Sequence, residues 1–338
     1  MQKNPIKKIV TLMLVVVMAL SFAGCGKKTS DTKDTSGAIE TTSNETTSNE
    51  VASSNDASAG DASNVSETIY PISITDSERN EVFIEKEPQR IVSVAPNLTE
   101  VLCELGCFDR LVARSNYCDY PAEVLDIESV GELDNPDIEK ILSLEPDLIL
   151  ASTHFSDENA KKITELGIPV LFLHDEQNMN GMYNIVGKIG LAVNKNKEAN
   201  ICIESMKSKI SDTQKRVEDK EKPSVYYVIG FGEYGDYTAT GDTFISEIIE
   251  TAGGDNIGKE SSGWYFSLEQ LIEDDPDYIL LPDYYYDEFI TAENYCNLTA
   301  VKEGKVIVVD NNTIERQGIR NADAVVTLSE LFHPQDAE

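Results

Sequence analysis

Tyr117, Tyr120, Tyr234, Tyr237, Trp264, Tyr265, Phe266 and Tyr284 to Tyr286 fall in short polar loops, and they include the single Trp of the chain. Aromatic faces with polar tips suit a large, flat or ring-rich ligand of little net charge. Tyrosine also occurs at half-buried loops with no ligand, but clustering around the only Trp favours a binding role. Catalysis finds little support. The chain has no Gly-x-Ser-x-Gly elbow, no His beside a candidate nucleophile and no Gly-x-Gly-x-x-Gly between a strand and a helix. Cys103 and Cys107 stand one helical turn apart, which raises zinc. The three histidines, His154, His174 and His333, lie at no ligand spacing. Beside Cys25, the cysteines Cys103, Cys107, Cys118, Cys202 and Cys296 are odd in number. They read mostly as small buried hydrophobes, with one oxidised pair left open.

The elements that must carry these loops show an internal repeat. Asp137-Ile-Glu-Lys-Ile-Leu-Ser-Leu-Glu-Pro-Asp-Leu-Ile-Leu-Ala151 aligns without a gap on Ser267-Leu-Glu-Gln-Leu-Ile-Glu-Asp-Asp-Pro-Asp-Tyr-Ile-Leu-Leu281. Each copy reads as an amphipathic helix, a Pro-Asp break and a buried strand. One repetition at domain spacing implies two similar α/β lobes with a ligand cleft between them. Glu139 and Glu269 occupy the same place in the two copies, in the first helical turn, where the dipole alone favours an acid. As a matched pair they could meet a two-fold partner.

Strands are expected at Ile72–Thr75 and Val82–Ile84 as a hairpin, then at residues 90–96, 111–114, 148–150 and 170–173. Helices alternate with them, and one is expected to open at Asn97 with Glu100 closing a capping box. Asn135 and Pro136 are expected to start the first repeat helix. In the second lobe, strands are expected at 224–230 and 305–309, and helices near 243–252 and 322–332. From about Lys195 to Glu218 the residues Ala199, Cys202, Ile203, Met206, Ile210 and Val217 form one stripe at helical spacing. That helix would be ~36 Å long and join the lobes. The expected architecture is α/β, two Rossmann-like lobes with mostly parallel sheets joined by one long helix. The lobes would span 69–194 and 221–338, with the helix at 195–220.

Lys3, Lys7 and Lys8 precede an apolar run from Ile9 to Phe22, too short to span a bilayer and of the length of a signal-peptide core. It ends in Phe22-Ala-Gly-Cys25, which resembles a bacterial lipoprotein signal, so Cys25 is the expected lipidated residue of the mature chain. Residues 25–68 are Ser, Thr, Asn, Asp and Ala with scarcely an apolar side chain, the composition of a flexible tether. The net charge of −32 disfavours nucleic acid and anionic membrane surface as partners. It also disfavours strongly anionic ligands such as ferric catecholates, which need several cleft arginines. Only Arg316, Arg320 and Arg114 are candidates.

Arg90-Ile-Val-Ser-Val-Ala-Pro-Asn-Leu-Thr-Glu100, Asn116-Tyr-Cys-Asp-Tyr-Pro121, Val130-Gly131, Asn135-Pro-Asp-Ile-Glu139, Glu145-Pro-Asp-Leu-Ile149 and Arg316-Gln-Gly-Ile-Arg320 carry a family resemblance. The chain resembles the iron-siderophore/heme/cobalamin class of ABC-transporter substrate-binding proteins, and its Tyr-x-Asp-Tyr-Pro segment is most similar to cobalamin-binding members. The resemblance implies a lipid-anchored monomer outside the cytoplasm that delivers a corrinoid to a dimeric permease with its ATPase, without catalysis or a resident cofactor. It implies permease docking through Glu139 and Glu269. The loops and the resemblance together select Pro96, Asn97, Tyr117, Tyr120, Tyr234, Tyr237, Trp264, Tyr285 and Arg316 as ligand-binding residues. Leu133 stands where a cobalamin binder has Trp, and Ile319 where the tail often has Pro. Heme or a ferric siderophore is the alternative ligand. A zinc or other metal receptor, or a surface enzyme, is the alternative of a different class.

Overall fold

A computed structural model describes residues 66–174 and 178–334. The signal sequence, Cys25 and nearly all of the tether lie outside the described residues. The first lobe begins with the antiparallel hairpin of β1 (Ile72–Thr75) and β2 (Glu81–Ile84), which buries Ile74, Val82 and Ile84 by simple alternation. Then follow β3 (Ile91–Ser93), α1 (Pro96–Glu104), β4 (Leu111–Arg114), α2 (Ile138–Ser143), β5 (Leu148–Ala151), α3 (Asp157–Thr164), β6 (Val170–Phe172) and α4 (Asn180–Ala192). The strands form a wholly parallel sheet in the order β4-β3-β5-β6. Their continuous apolar runs suit a sheet covered on both faces.

Helix α5 (Asn196–Val217) leads into the second lobe. That lobe holds β7 (Ser224–Gly230), β8 (Asp236–Thr238), α6 (Phe244–Thr251), β9 (Asp255–Asn256), β10 (Tyr265–Phe266), α7 (Leu268–Asp274) and β11 (Tyr278–Leu281). After them come α8 (Tyr286–Thr291), α9 (Thr299–Lys302), β12 (Val306–Val308), α10 (Asn311–Glu315) and α11 (Asn321–Phe332). Its sheet is mixed: β7, β11 and β12 run parallel, while β8 and β10 add an antiparallel flank.

The repeat extends to its anchoring, where the same Asp in each copy fastens the start of a neighbouring strand. In the first copy the Asp147 carboxylate accepts from the backbone N–H groups of Gln89 (2.9 Å) and Arg90 (2.8 Å), just before β3. In the second copy Asp277 accepts from the N–H of Ser224 (2.8 Å), the first residue of β7. Glu145 (φ 48°) and Asp275 (φ 37°), at matching places, both take the left-handed conformation that ends a helix.

Two helix starts differ from expectation. Helix α1 begins at Pro96 with Ala95 as an N-cap that makes no side-chain bond, so Asn97 and Glu100 form no capping box. Helix α2 starts at Ile138, its N-cap being Asp137, which accepts from Lys140 N at 2.9 Å. Asn135 and Pro136 precede it. In α1 Pro96 opens the helix without a side-chain cap, and in α2 Asp137 takes the capping role expected of Asn135. Helix α4 was not anticipated because its glycines dilute the pattern. Gly190 is required there: a Cβ would lie 2.4 Å from that of Ala199, so the glycine lets α4 and α5 cross closely.

The expected long helix is present, ~33 Å at the standard rise. Its buried Met206 and Ile210 belong to one core that also contains Leu98, Leu102, Met182 and Ile189 of the first lobe and Tyr227, Ile248 and Leu328 of the second. The opposite sheet faces have their own cores, around Ile141 and Ile149 in one lobe and Leu271 and Ile279 in the other. All five described cysteines are free. Burial pushes the Cys103 thiol up to about 12 and also raises Cys107, as small hydrophobes held away from water would be.

Candidate functional site

Two adjoining cavities lie where both lobes meet, and Thr153 and His174 line both of them. One, of about 200 Å³, is bounded in the first lobe by Pro96 and Asn97, which open α1, and by the Ser152–Phe155 loop after β5. Across it stand Phe244, Glu315 and Arg316 of the second lobe. The other, of about 660 Å³, lies between Asn184 and Lys188 of α4 and Asp242 and Trp264 of the second lobe. The site therefore forms at the carboxyl ends of the parallel strands, where such sheets place ligands.

Trp264 adopts φ 69°, which is unusual for a bulky side chain. The surrounding turn over-determines it. Its N–H donates to Thr240 Oγ1 at 3.1 Å, and the N–H of Gly263 donates to Asp242 Oδ2 at 3.1 Å. The indole is thus placed by a rigid corner rather than by a floppy loop.

The lobes are tied beside the cavity by buried charge. Glu100, on α1, accepts from Arg316 Nη1 at 2.9 Å and from Arg320 Nε at 2.8 Å and Nη2 at 2.6 Å. Arg316 Nη1 also donates to Asp119 Oδ1 at 2.5 Å, and Nη2 donates to the carbonyl of Tyr117 at 3.3 Å. The Arg316 bond holds the Asp119 carboxyl below the usual carboxylate range. Asn97 Nδ2 donates to the Gln317 carbonyl at 3.1 Å, a further link between the lobes. Both candidate arginines are accordingly paired with acids. Arg114, the third, is buried and donates to the carbonyls of Val124, Ser115 and Leu125, so it fastens a loop and does not face the cleft.

Of the residues singled out in the sequence, Pro96, Asn97, Arg316 and Trp264 border the cavities. Tyr117, Tyr120, Tyr234, Tyr237 and Tyr285 line neither. Tyr117 is 49% exposed and donates to Glu132 Oε2 at 2.6 Å, a bond that raises its own pKa and lowers that of Glu132. The Arg320 guanidinium stacks 4.5 Å above the Tyr120 ring and occupies that face. Tyr234 is 86% exposed, and Tyr237 packs edge-on against Tyr265. Tyr285 packs edge-on against Phe231 at 5.2 Å and belongs to the fringe of the second lobe's core. Its neighbour Tyr284 is the exposed member of the triplet. Glu139 and Glu269 are both exposed in the first turns of α2 and α7.

Three lining residues had no signal in the linear sequence, His174, Lys188 and Asp242, whereas His154 directly follows the buried strand expected at 148–150. They come from loops or helix faces far apart in the chain, and only the fold brings them together.

The family model described as periplasmic binding protein matches residues 91–313. The ABC transporter substrate-binding lipoprotein YvrC of Bacillus subtilis is 32% identical over 328 residues, covering 95% of each chain. A cobalamin-binding protein of Halobacterium salinarum is 26% identical over 279 residues, covering 78% of this chain and 74% of its own. Among solved structures, the periplasmic heme-binding protein RhuT from Roseiflexus in apo form aligns with a TM-score of 0.67 at 20% identity. It covers 73% of this chain and 99% of its own, a likeness of fold.

Proposed function

This chain belongs to the periplasmic binding protein family, and we propose that it captures a corrinoid between its lobes as the substrate-binding component of an ABC importer. The observation that carries this reading is the cleft itself: an indole wall and an apolar corner at Phe244 face a loop of the other lobe, while the cleft arginines are already neutralised. Such a lining favours a large, flat ligand of low net charge over an anionic ferric catecholate. The cobalamin-binding relative points the same way at the level of similarity. The ligand then passes to a dimeric permease with its ATPase, met through Glu139 and Glu269. Cys25 carries the lipid that keeps the receptor on the outer face of the cell membrane.

Heme is the second reading, favoured by the two imidazoles at the cavity. A bare zinc ion is poorly served. Among the described residues no group of three or more His, Cys, Asp or Glu side chains could hold a metal ion. Calorimetric titration with cyanocobalamin, hemin and a ferric hydroxamate decides between these ligands. Tight one-to-one binding of cyanocobalamin supports the corrinoid; silence with it and tight binding of another would sink that choice.

A further inference from the structure

We propose that the larger cavity seats an oxyanion-bearing arm of the ligand, the phosphodiester-linked base of a complete corrinoid, with Lys188 pairing the phosphate and Trp264 beside the base. The proposal rests on the corrinoid reading and deepens it, because it separates complete corrinoids from those without the nucleotide arm.

Lys188 stands out by what it lacks. Among the described residues it is the one Lys or Arg side chain that is not exposed and yet makes neither a hydrogen bond nor an ion pair. Arg110, Lys140, Lys195 and Lys305 each meet a Glu, and Arg114 and Arg216 donate to uncharged oxygens. In a chain of net charge −32 acidic partners are abundant. A half-buried ammonium left without one carries a desolvation cost that a bound anion offsets.

The frame around Lys188 is fixed. Asn184, one turn earlier on the same face of α4, lines the same cavity and adds an amide. A second unpartnered cation, the exposed Arg79, comes from the β1–β2 turn, where it takes the left-handed conformation at φ 66°. The buried Asp76 carboxylate holds that turn, accepting from Asn80 N at 2.8 Å and Nδ2 at 3.2 Å. The turn is tied to the carboxyl end of β6: Ser77 N–H donates to the Phe172 carbonyl, and His174 N–H donates to Ser77 Oγ, both at 2.9 Å. The one carboxylate in the described lining, Asp242, is engaged by Thr240 Oγ1 and the N–H of Gly263.

Two cations against one occupied acid suit a single phosphodiester on a ligand otherwise low in charge. Lysine binds phosphate as a compact point charge. The same cavity offers Trp264, whose rigid corner presents an aromatic partner to a planar base. Thr153 and His174 line both cavities, so the arm can run from the smaller into the larger within the cleft.

The test is a calorimetric titration of the full chain with cyanocobalamin and with dicyanocobinamide, which keeps the corrin but has neither phosphate nor base; hemin is titrated in parallel. Wild type should prefer cyanocobalamin by about tenfold or more. Lys188→Met should abolish most of that preference through weaker cyanocobalamin binding, and its retained affinity for dicyanocobinamide would show a folded cleft. Lys188→Arg should keep most of the preference. Lys197→Met, the same charge change at an exposed position on α5, should alter neither ligand. Equal tight binding of both corrinoids by wild type, or equal weakening of both in Lys188→Met, overturns the subsite and leaves the corrinoid reading standing. Hemin bound in place of either corrinoid, and weakened by Lys188→Met, replaces the phosphodiester with a carboxylate and overturns the assignment. No binding of any of the three overturns both readings.

Discussion

The two lobes share a scaffold and differ in what they hang on it. In each, an Asp after Pro146 or Pro276 pins the start of the neighbouring central strand, and a left-handed residue two positions earlier ends the helix. Beyond the strand the copies part. The first continues with Ser152-Thr-His-Phe155, which lines the smaller cavity; the second with Pro282-Asp-Tyr-Tyr285, which turns into a helical loop and packs against Phe231. The sheets diverge as well, one wholly parallel, the other widened by the antiparallel strands that seat Trp264. Backbone-anchoring groups are constrained by geometry that both copies must meet. Loops past the strand ends answer only to the ligand and can specialise separately.

The largest expected effect falls on the contact that joins the unlike halves. Glu100→Gln leaves Arg316 and Arg320 partly buried with a lost counter-charge, and should cost about 3 kcal/mol in chemical denaturation. A cost below about 1 kcal/mol would mean that Glu100 adds little to a junction held by apolar packing and the remaining hydrogen bonds. The repeat's outward faces come next. Charge reversal at Glu139 or Glu269 should each reduce uptake about tenfold in whole cells, with calorimetric ligand affinity unchanged. Unequal effects would show that the partner does not treat the copies alike.

A finer distinction separates the two left-handed residues. Glu145→Gly should stabilise by about 0.5 kcal/mol, because glycine adopts that φ without steric cost. Asp275→Gly should instead destabilise by about 0.5 kcal/mol. Its carboxylate accepts from Thr299 N at 2.8 Å and from the Thr299 hydroxyl, at the first turn of α9, and that loss outweighs the gain. Thermal melts of the two variants shifting in opposite directions would bear this out. The smallest effect concerns acid. Asp119 has its folded pKa lowered by Arg316, so its contribution is complete above the ordinary Asp value of about 3.9 and is lost as pH falls through the lower folded value. Asp119→Asn should therefore flatten the stability profile below about pH 4 while reducing stability slightly at neutral pH.

Much of this scaffold was readable in the sequence because its signals are local or periodic. The Met206–Ile210 stripe announced α5 within one residue of each end when measured from Lys195 and Glu218, and the ungapped repeat announced two lobes. The site was readable only in part. Pro96, Asn97, Trp264 and Arg316, selected through loop position and family likeness, border the cavities. Glu100 was misread as a capping residue, because its true partners lie more than two hundred positions away and leave no trace in its own neighbourhood. The same distance hid the meeting of His154 and His174 with Trp264. Three consecutive tyrosines likewise do not reveal in sequence that Tyr285 packs on Phe231 while Tyr284 is exposed.

The apolar core that passes through α5 has a thermodynamic consequence. Lobes with separate interiors melt separately, but here Met206 and Ile210 are members of the same buried cluster as Leu102 and Leu328. Exposing either side strips contacts from the other, so heat should dissolve both in a single calorimetric transition. Amide exchange should likewise find its slowest protons on both sides of the helix, opening together as one cooperative unit.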